Sequence, residues 1–183
     1  MILNDIAMVM ADTSRSKCYI KELIKYDLIP KYILLLINSK SEVLPGQENS
    51  NLDIISMFKS NNIQYEISSD SNVNSNKVVS KISNRTESVF IFSGFGGVLL
   101  QDSILSTGKK FLHVHGGYLP NYKGSTTNYY SLINENIIGA SSIFLTQNID
   151  CGPVLVRRKF KPPINRVEMD HVYDSEVRSK VLI

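Results

Sequence analysis

Apolar residues along the chain gather in short continuous runs separated by helix-spaced and polar segments. Ile6-Ala7-Met8-Val9-Met10 and Tyr32-Ile33-Leu34-Leu35-Leu36-Ile37 have no polar alternation, the pattern of strands buried on both faces. Between them Ala11–Ser14 reads as a turn with capping residues, and Ile20, Leu23 and Ile24 recur at helical spacing from Lys17 to Tyr26, ended by Pro30. Strand, helix, strand is the crossover unit of a parallel sheet. Asn38–Asn51, with Pro45-Gly46, reads as a loop, Leu52–Phe58 as a helix and Ile63–Ile67 as a short strand. An exposed polar connection, Ser68–Asn76, leads to a helix near Lys77–Ile82. Ser88–Phe92 and Phe111–His115 are further buried strands, with a helix expected over Val98–Leu105 and stopped by Gly108. Ser142–Leu145 and Val154–Lys159 are strand-like, Lys161-Pro162-Pro163 is a rigid connection, and Glu168–Ile183 reads as a charged helix ending in three apolar residues.

This alternation predicts one open α/β domain over residues 1–183, with 161–183 as a carboxy-terminal extension. Composition adds little that is specific. At 43% hydrophobic residues a core is expected, and 20 basic against 17 acidic residues, dispersed along the chain, give no phosphate-tracking stripe, so no nucleic-acid partner is expected. The apolar runs are too short to span a bilayer, the start does not read as a secretory leader, and Cys18 and Cys151 lack metal-type spacing. The expectation is a cytoplasmic protein with two reduced thiols. The apolar end Val181-Leu182-Ile183 is compatible with a homodimer contact, or with a chain shorter than its relatives.

The chemistry concentrates where two predicted strands end. In open α/β sheets ligands bind beyond the carboxyl ends of strands. One strand runs into Ser93-Gly94-Phe95-Gly96-Gly97 and another into His113-Val114-His115-Gly116-Gly117. His113 and His115 are two of only three histidines, and strand alternation puts both on one face. The glycine loop lacks the third glycine and the downstream acid of a dinucleotide fingerprint, and Ala11–Lys17 contains no glycine. Asp150 sits in a turn between two strand-like runs, where Asp is also at home for purely structural reasons. His113, His115 and Asp150, with His171, could also serve as zinc ligands of a metal hydrolase.

The segment His115-Gly116-Gly117-Tyr118-Leu119-Pro120-Asn121-Tyr122-Lys123-Gly124 resembles the signature of the folate-dependent formyltransferases: Asn-x-His at a strand end, a small loop, Leu-Pro, and an aromatic-x-Gly. Ile149-Asp150-Cys151-Gly152-Pro153-Val154 resembles the family's second block, and Ser93–Leu100 its folate-receiving loop. The family's asparagine falls at His113, and Gly116 stands where many relatives carry proline.

The resemblance implies a Rossmann-like, mostly parallel sheet with helices on both faces. It implies 10-formyltetrahydrofolate as formyl donor and a small-molecule primary amine as acceptor. His115 would assist proton transfer and the oxyanion, Asp150 would orient His115 and favour its protonated form, and His113 would supply a second donor. Phe95, Gly96, Gly97, Val98, Leu99, Thr146 and Ile149 would line the folate pocket, and Tyr118, Lys123 and Ser125 would meet the acceptor, with no metal required. Relatives act on glycinamide ribonucleotide, methionyl-tRNA or nucleotide-linked amino sugars. The first group has a glycine-bearing phosphate loop and the second a further basic domain, neither of which this sequence contains, which leaves an amino sugar of surface-polysaccharide synthesis. A catalytically inactive binding protein of the same fold is the alternative, since the family asparagine is missing.

Overall fold

A computed structural model describes residues 1–37 and 50–183. Strands β1 (Ile2–Ala11), β2 (Ile29–Leu36), β3 (Tyr65–Ser68), β4 (Val89–Ser93), β5 (Lys110–His115), β6 (Ile138–Phe144) and β7 (Val154–Phe160) form one sheet in the order β3-β2-β1-β4-β5-β6-β7. The first five are parallel, β6 pairs antiparallel with β5, and β7 pairs antiparallel with β6 at the sheet edge. The helices are α1 (Ser14–Lys25), α2 (Ser50–Ser60), α3 (Asn76–Ser83), α4 (Asp102–Leu105), α5 (Thr127–Glu135) and α6 (Asp174–Leu182). Most of the loop expected over Asn38–Asn51 lies outside the described residues.

The two faces of the sheet make two cores. Met8, Met10, Ile33, Leu35, Ile91 and Val114 pack against Tyr19, Ile20 and Leu23 of α1, Ile54 and Phe58 of α2, and Val177 and Val181 of α6. On the other face Ala7, Val9, Leu34, Leu36, Phe90 and Phe111 pack against Val78 and Ile82 of α3 and Ile104 of α4. Burial on both faces is why β1 and β2 read as unbroken apolar runs. The apolar residues of α6 therefore find their partners within the chain, and only Ile183 is exposed. Among the described residues no helix is long and apolar enough to cross a membrane.

Four local expectations are revised. The helix predicted over Val98–Leu105 shrinks to α4, because the side chain of Asn74 takes the backbone groups a longer helix would use. Its amide donates to the Leu99 carbonyl (2.9 Å) and its oxygen accepts from the Gln101 N–H (2.8 Å). Helix α5 was not anticipated, since its buried face is Thr127, Asn128 and Ser131 and carries no apolar stripe. The carboxy-terminal helix begins later than expected, after a short 3₁₀ turn (Arg166–Glu168) and a π turn (Met169–Tyr173). Strand β6 starts at Ile138 rather than Ser142; its small residues are buried because Gly139 packs on Tyr118, whose backbone nitrogen an added Cβ would approach to 2.4 Å.

Candidate active site

The strand order changes direction between β1 and β4, and the loops after these strands open into a cleft at the carboxyl edge of the sheet. Alternation along β5 places Phe111, His113 and His115 on one face, with Phe111 in the core and both imidazoles lining the cleft. The cleft has a volume of about 690 Å³. A narrower recess of about 100 Å³ adjoins it, walled by Phe92, Val98, Leu100 and Leu145 and closed by residues Thr146–Asp150.

His115 is buried, and both of its ring nitrogens face oxygens. Nδ1 lies 3.3 Å from Oδ1 of Asp150, and Nε2 lies 2.7 Å from the Tyr122 carbonyl. Burial pulls its pKa below the ordinary value, and the Asp150 carboxylate and the Tyr122 carbonyl oppose that pull. Only the protonated ring can donate along both contacts at once.

Asp150 adopts the left-handed region at φ 52°, and its Oδ2 accepts from the Gly124 N–H at 2.8 Å. One carboxylate thus ties the β6–β7 connection to both the histidine and the loop after β5. Two glycines make this approach feasible. A Cβ at Gly152 would lie 1.7 Å from the Phe144 carbonyl oxygen, and one at Gly117 would lie 2.6 Å from both His115 Nε2 and the Tyr122 carbonyl. Ser141 pins the same loop by donating to the Gly117 carbonyl (2.7 Å) and accepting from the Leu119 N–H (3.0 Å).

His113 Nδ1 lies 3.1 Å from the Phe92 carbonyl, and its ring faces both the cleft and the recess. Burial, followed by Arg178 and Arg15, pushes its pKa down to about 3, so the ring is neutral near pH 7.

Most residues singled out from the sequence converge here. Phe95, Gly96, Gly97, Val98, Leu99, Ile149, Ser125, His113, His115 and Asp150 line the cleft; Val98, Leu99, Ile149, His113 and Asp150 also line the recess, and Thr146 lines the recess alone. Tyr118 and Lys123 line neither. Tyr118 lies under Arg157 and Lys159, whose charged ends are 5.0 and 4.9 Å from its ring centre. Lys123 Nζ lies 3.1 Å from Cys151 Sγ at the surface. Both belong to a loop whose backbone, rather than these two side chains, serves the site.

Sequence reasoning missed Arg15, Asp174 and Arg178 in the cleft wall. Arg15, in the first turn of α1, donates from Nε to Ser93 Oγ (3.1 Å) and from Nη2 to the Gly94 carbonyl (2.5 Å), and forms no ion pair among the described residues. Arg178 pairs with Asp174 (2.8 Å), donates to the Val114 carbonyl (3.2 Å), and occupies the space a Cβ at Gly116 would need. The available signal for Arg15 was topological: it follows β1, beside the point where strand order reverses. Among the described residues no group of three or more His, Cys, Asp or Glu could hold a metal ion.

With this geometry in place, comparison with known proteins is decisive for the family. The family model described as formyl transferase matches residues 5–176. The chain belongs to the formyl transferase family. A methionyl-tRNA formyltransferase of Finegoldia magna is 35% identical over 80 residues, which are 43% of this chain and 26% of that protein. The chain therefore matches only about a quarter of that curated relative's length. Phosphoribosylglycinamide formyltransferase from Bacillus halodurans superposes with a TM-score of 0.68 at 14% identity, covering 96% of this chain and 90% of that one. A Mycobacterium tuberculosis protein, provisionally assigned as a sugar N-formyltransferase, superposes with a TM-score of 0.60 at 12% identity, covering 98% and 65%. These structures share the fold, and the formyl donor of the family is 10-formyltetrahydrofolate.

Proposed function

We propose that this protein transfers the formyl group of 10-formyltetrahydrofolate to the primary amine of a nucleotide-linked amino sugar. The observation that carries the reading is the buried His115–Asp150 pair at the junction of the cleft and the apolar recess. Such a transfer forms a C–N bond to the amine and breaks the C–N bond to the folate nitrogen. A proton moves from amine to leaving nitrogen while negative charge builds on the formyl oxygen. His115 stabilises that charge and relays the proton; Asp150 holds the ring in place and supports its charged form. A formyl oxygen beside His115 competes with the Tyr122 carbonyl for the Nε2 proton.

The recess suits a flat heterocycle with a polar edge: its walls are apolar, and Thr146–Asp150 border it with backbone and amide groups. The larger cleft suits the acceptor. Arg15 forms no ion pair among the described residues, which favours an acceptor with anionic phosphate, and the first turn of α1 contains no glycine.

The test is tetrahydrofolate release from 10-formyltetrahydrofolate with UDP-glucosamine, phosphoribosylglycinamide and methionyl-tRNA as acceptors. Turnover with the sugar nucleotide is expected. Turnover with only one of the other two would transfer the assignment to that acceptor class. Release of formate alone would make the protein a hydrolase, and no reaction with any acceptor would refute formyl transfer.

A further inference from the structure

The family asparagine that His113 replaces offers both a hydrogen-bond donor and an acceptor, and the imidazole here leaves only one of them free, because the other meets the Phe92 carbonyl. The Phe92 carbonyl can only accept, so the ring nitrogen 3.1 Å from it, Nδ1, carries the proton. A neutral imidazole with Nδ1 protonated has a bare Nε2. That nitrogen has no protein partner among the described residues, while the ring borders both cavities. On this reading His113 would not act as the second oxyanion donor that the family resemblance implies.

The neighbouring groups define what such a lone pair can do. Arg15 and Arg178 are donors only. The nitrogens of His115 are engaged by Asp150 and Tyr122. Asp150 also accepts from Gly124, and Asp174 is held by Arg178 and Asn128. Nε2 of His113 is thus an uncharged acceptor among cations and occupied carboxylates. An attacking amine must keep its own lone pair free while its N–H bonds find acceptors. A carboxylate partner would stabilise the unreactive ammonium form; a neutral ring flanked by two guanidinium groups disfavours it.

We propose that His113 is a substrate-positioning residue: fixed as the Nδ1–H tautomer, it accepts a hydrogen bond at Nε2 from the acceptor amine and aims the amine's lone pair at the formyl carbon. This rests on the formyl-transfer reading for its substrate, but its protonation state can be tested without turnover. The charged and titratable groups acting on the ring are Arg178, Arg15 and His115, and all three disfavour a charge there; the Phe92 hydrogen bond favours one.

Nitrogen-15 NMR of histidine-labelled protein, with the signal assigned by its loss in His113→Asn, reads the tautomer directly. A protonated Nδ1 and bare Nε2 are expected throughout about pH 5 to 8. A protonated Nε2, or titration near the ordinary histidine value, would overturn the proposal. In steady-state kinetics with UDP-glucosamine, or whichever panel acceptor turns over, His113→Leu should lower kcat/KM for the amine by about tenfold or more. Binding of a folate analogue should stay within about twofold, and His113→Asn, which restores an acceptor oxygen, should recover most of the loss. Loss of folate binding with an unchanged KM for the amine would place His113 on the folate side and refute the assignment. If wild-type protein releases no tetrahydrofolate at all, the formyl-transfer reading fails, while the NMR result still decides the tautomer.

Discussion

His113 should make the folded protein acid-labile in a defined window. Its folded-state pKa is pushed to about 3 from an ordinary 6.5, so between these values the unfolded chain binds a proton that the native state excludes. A histidine with a depressed pKa contributes stability that is present above 6.5 and lost as pH falls toward 3. One unit corresponds to about 1.4 kcal/mol, so the contribution lost between about pH 7 and pH 5 is about 2 kcal/mol. For a domain of this size each kcal/mol shifts the midpoint by about 2–4 °C, so His113 alone should lower Tm by about 4–8 °C over that interval. The assay is thermal unfolding as a function of pH for wild type and His113→Asn. Whatever their offset at neutral pH, the variant should lose visibly less stability on acidification, because its side chain does not titrate. His115 titrates in both proteins and cancels in the comparison. Parallel Tm–pH curves would show that His113 is protonated in the native state as readily as in the unfolded chain, and the neutral-ring argument would fall with it.

Asp150→Asn keeps a residue that tolerates φ 52° but removes the charge facing His115; kcat/KM should fall by about tenfold to a hundredfold with folate-analogue affinity retained, as judged by steady-state kinetics and fluorescence titration. An unchanged rate would dismiss Asp150 from the mechanism. Gly117→Ala drives a methyl group to 2.6 Å from His115 Nε2 and should abolish turnover while costing about 1–3 kcal/mol of stability by denaturant unfolding. Gly152→Ala collides with backbone rather than a movable side chain and should destabilise by about 3 kcal/mol or more; a near-wild-type midpoint would mean that the β6–β7 turn is looser than described. Arg15→Leu should raise KM for UDP-glucosamine but not for the folate, and should weaken the dependence of KM on salt; equal effects on both substrates would remove Arg15 from the acceptor site.

The sequence by itself determined the parallel α/β core, because strands buried on both faces must be apolar throughout, and β1, β2, β4 and β5 were visible for that reason. It also determined that His113 and His115 share a face, a consequence of the strand's two-residue period, and it picked out Asp150 through motif resemblance. Periodicity could not find α5, whose buried side is polar, nor the shortening of α4, which one distant asparagine side chain decides. Only the tertiary structure brought Arg15 and Arg178 to the cleft from opposite ends of the chain, since proximity across a sheet edge has no local signal. It alone also set Nδ1 of His113 against the Phe92 carbonyl, which belongs to a different strand, and the tautomer we propose rests on that contact.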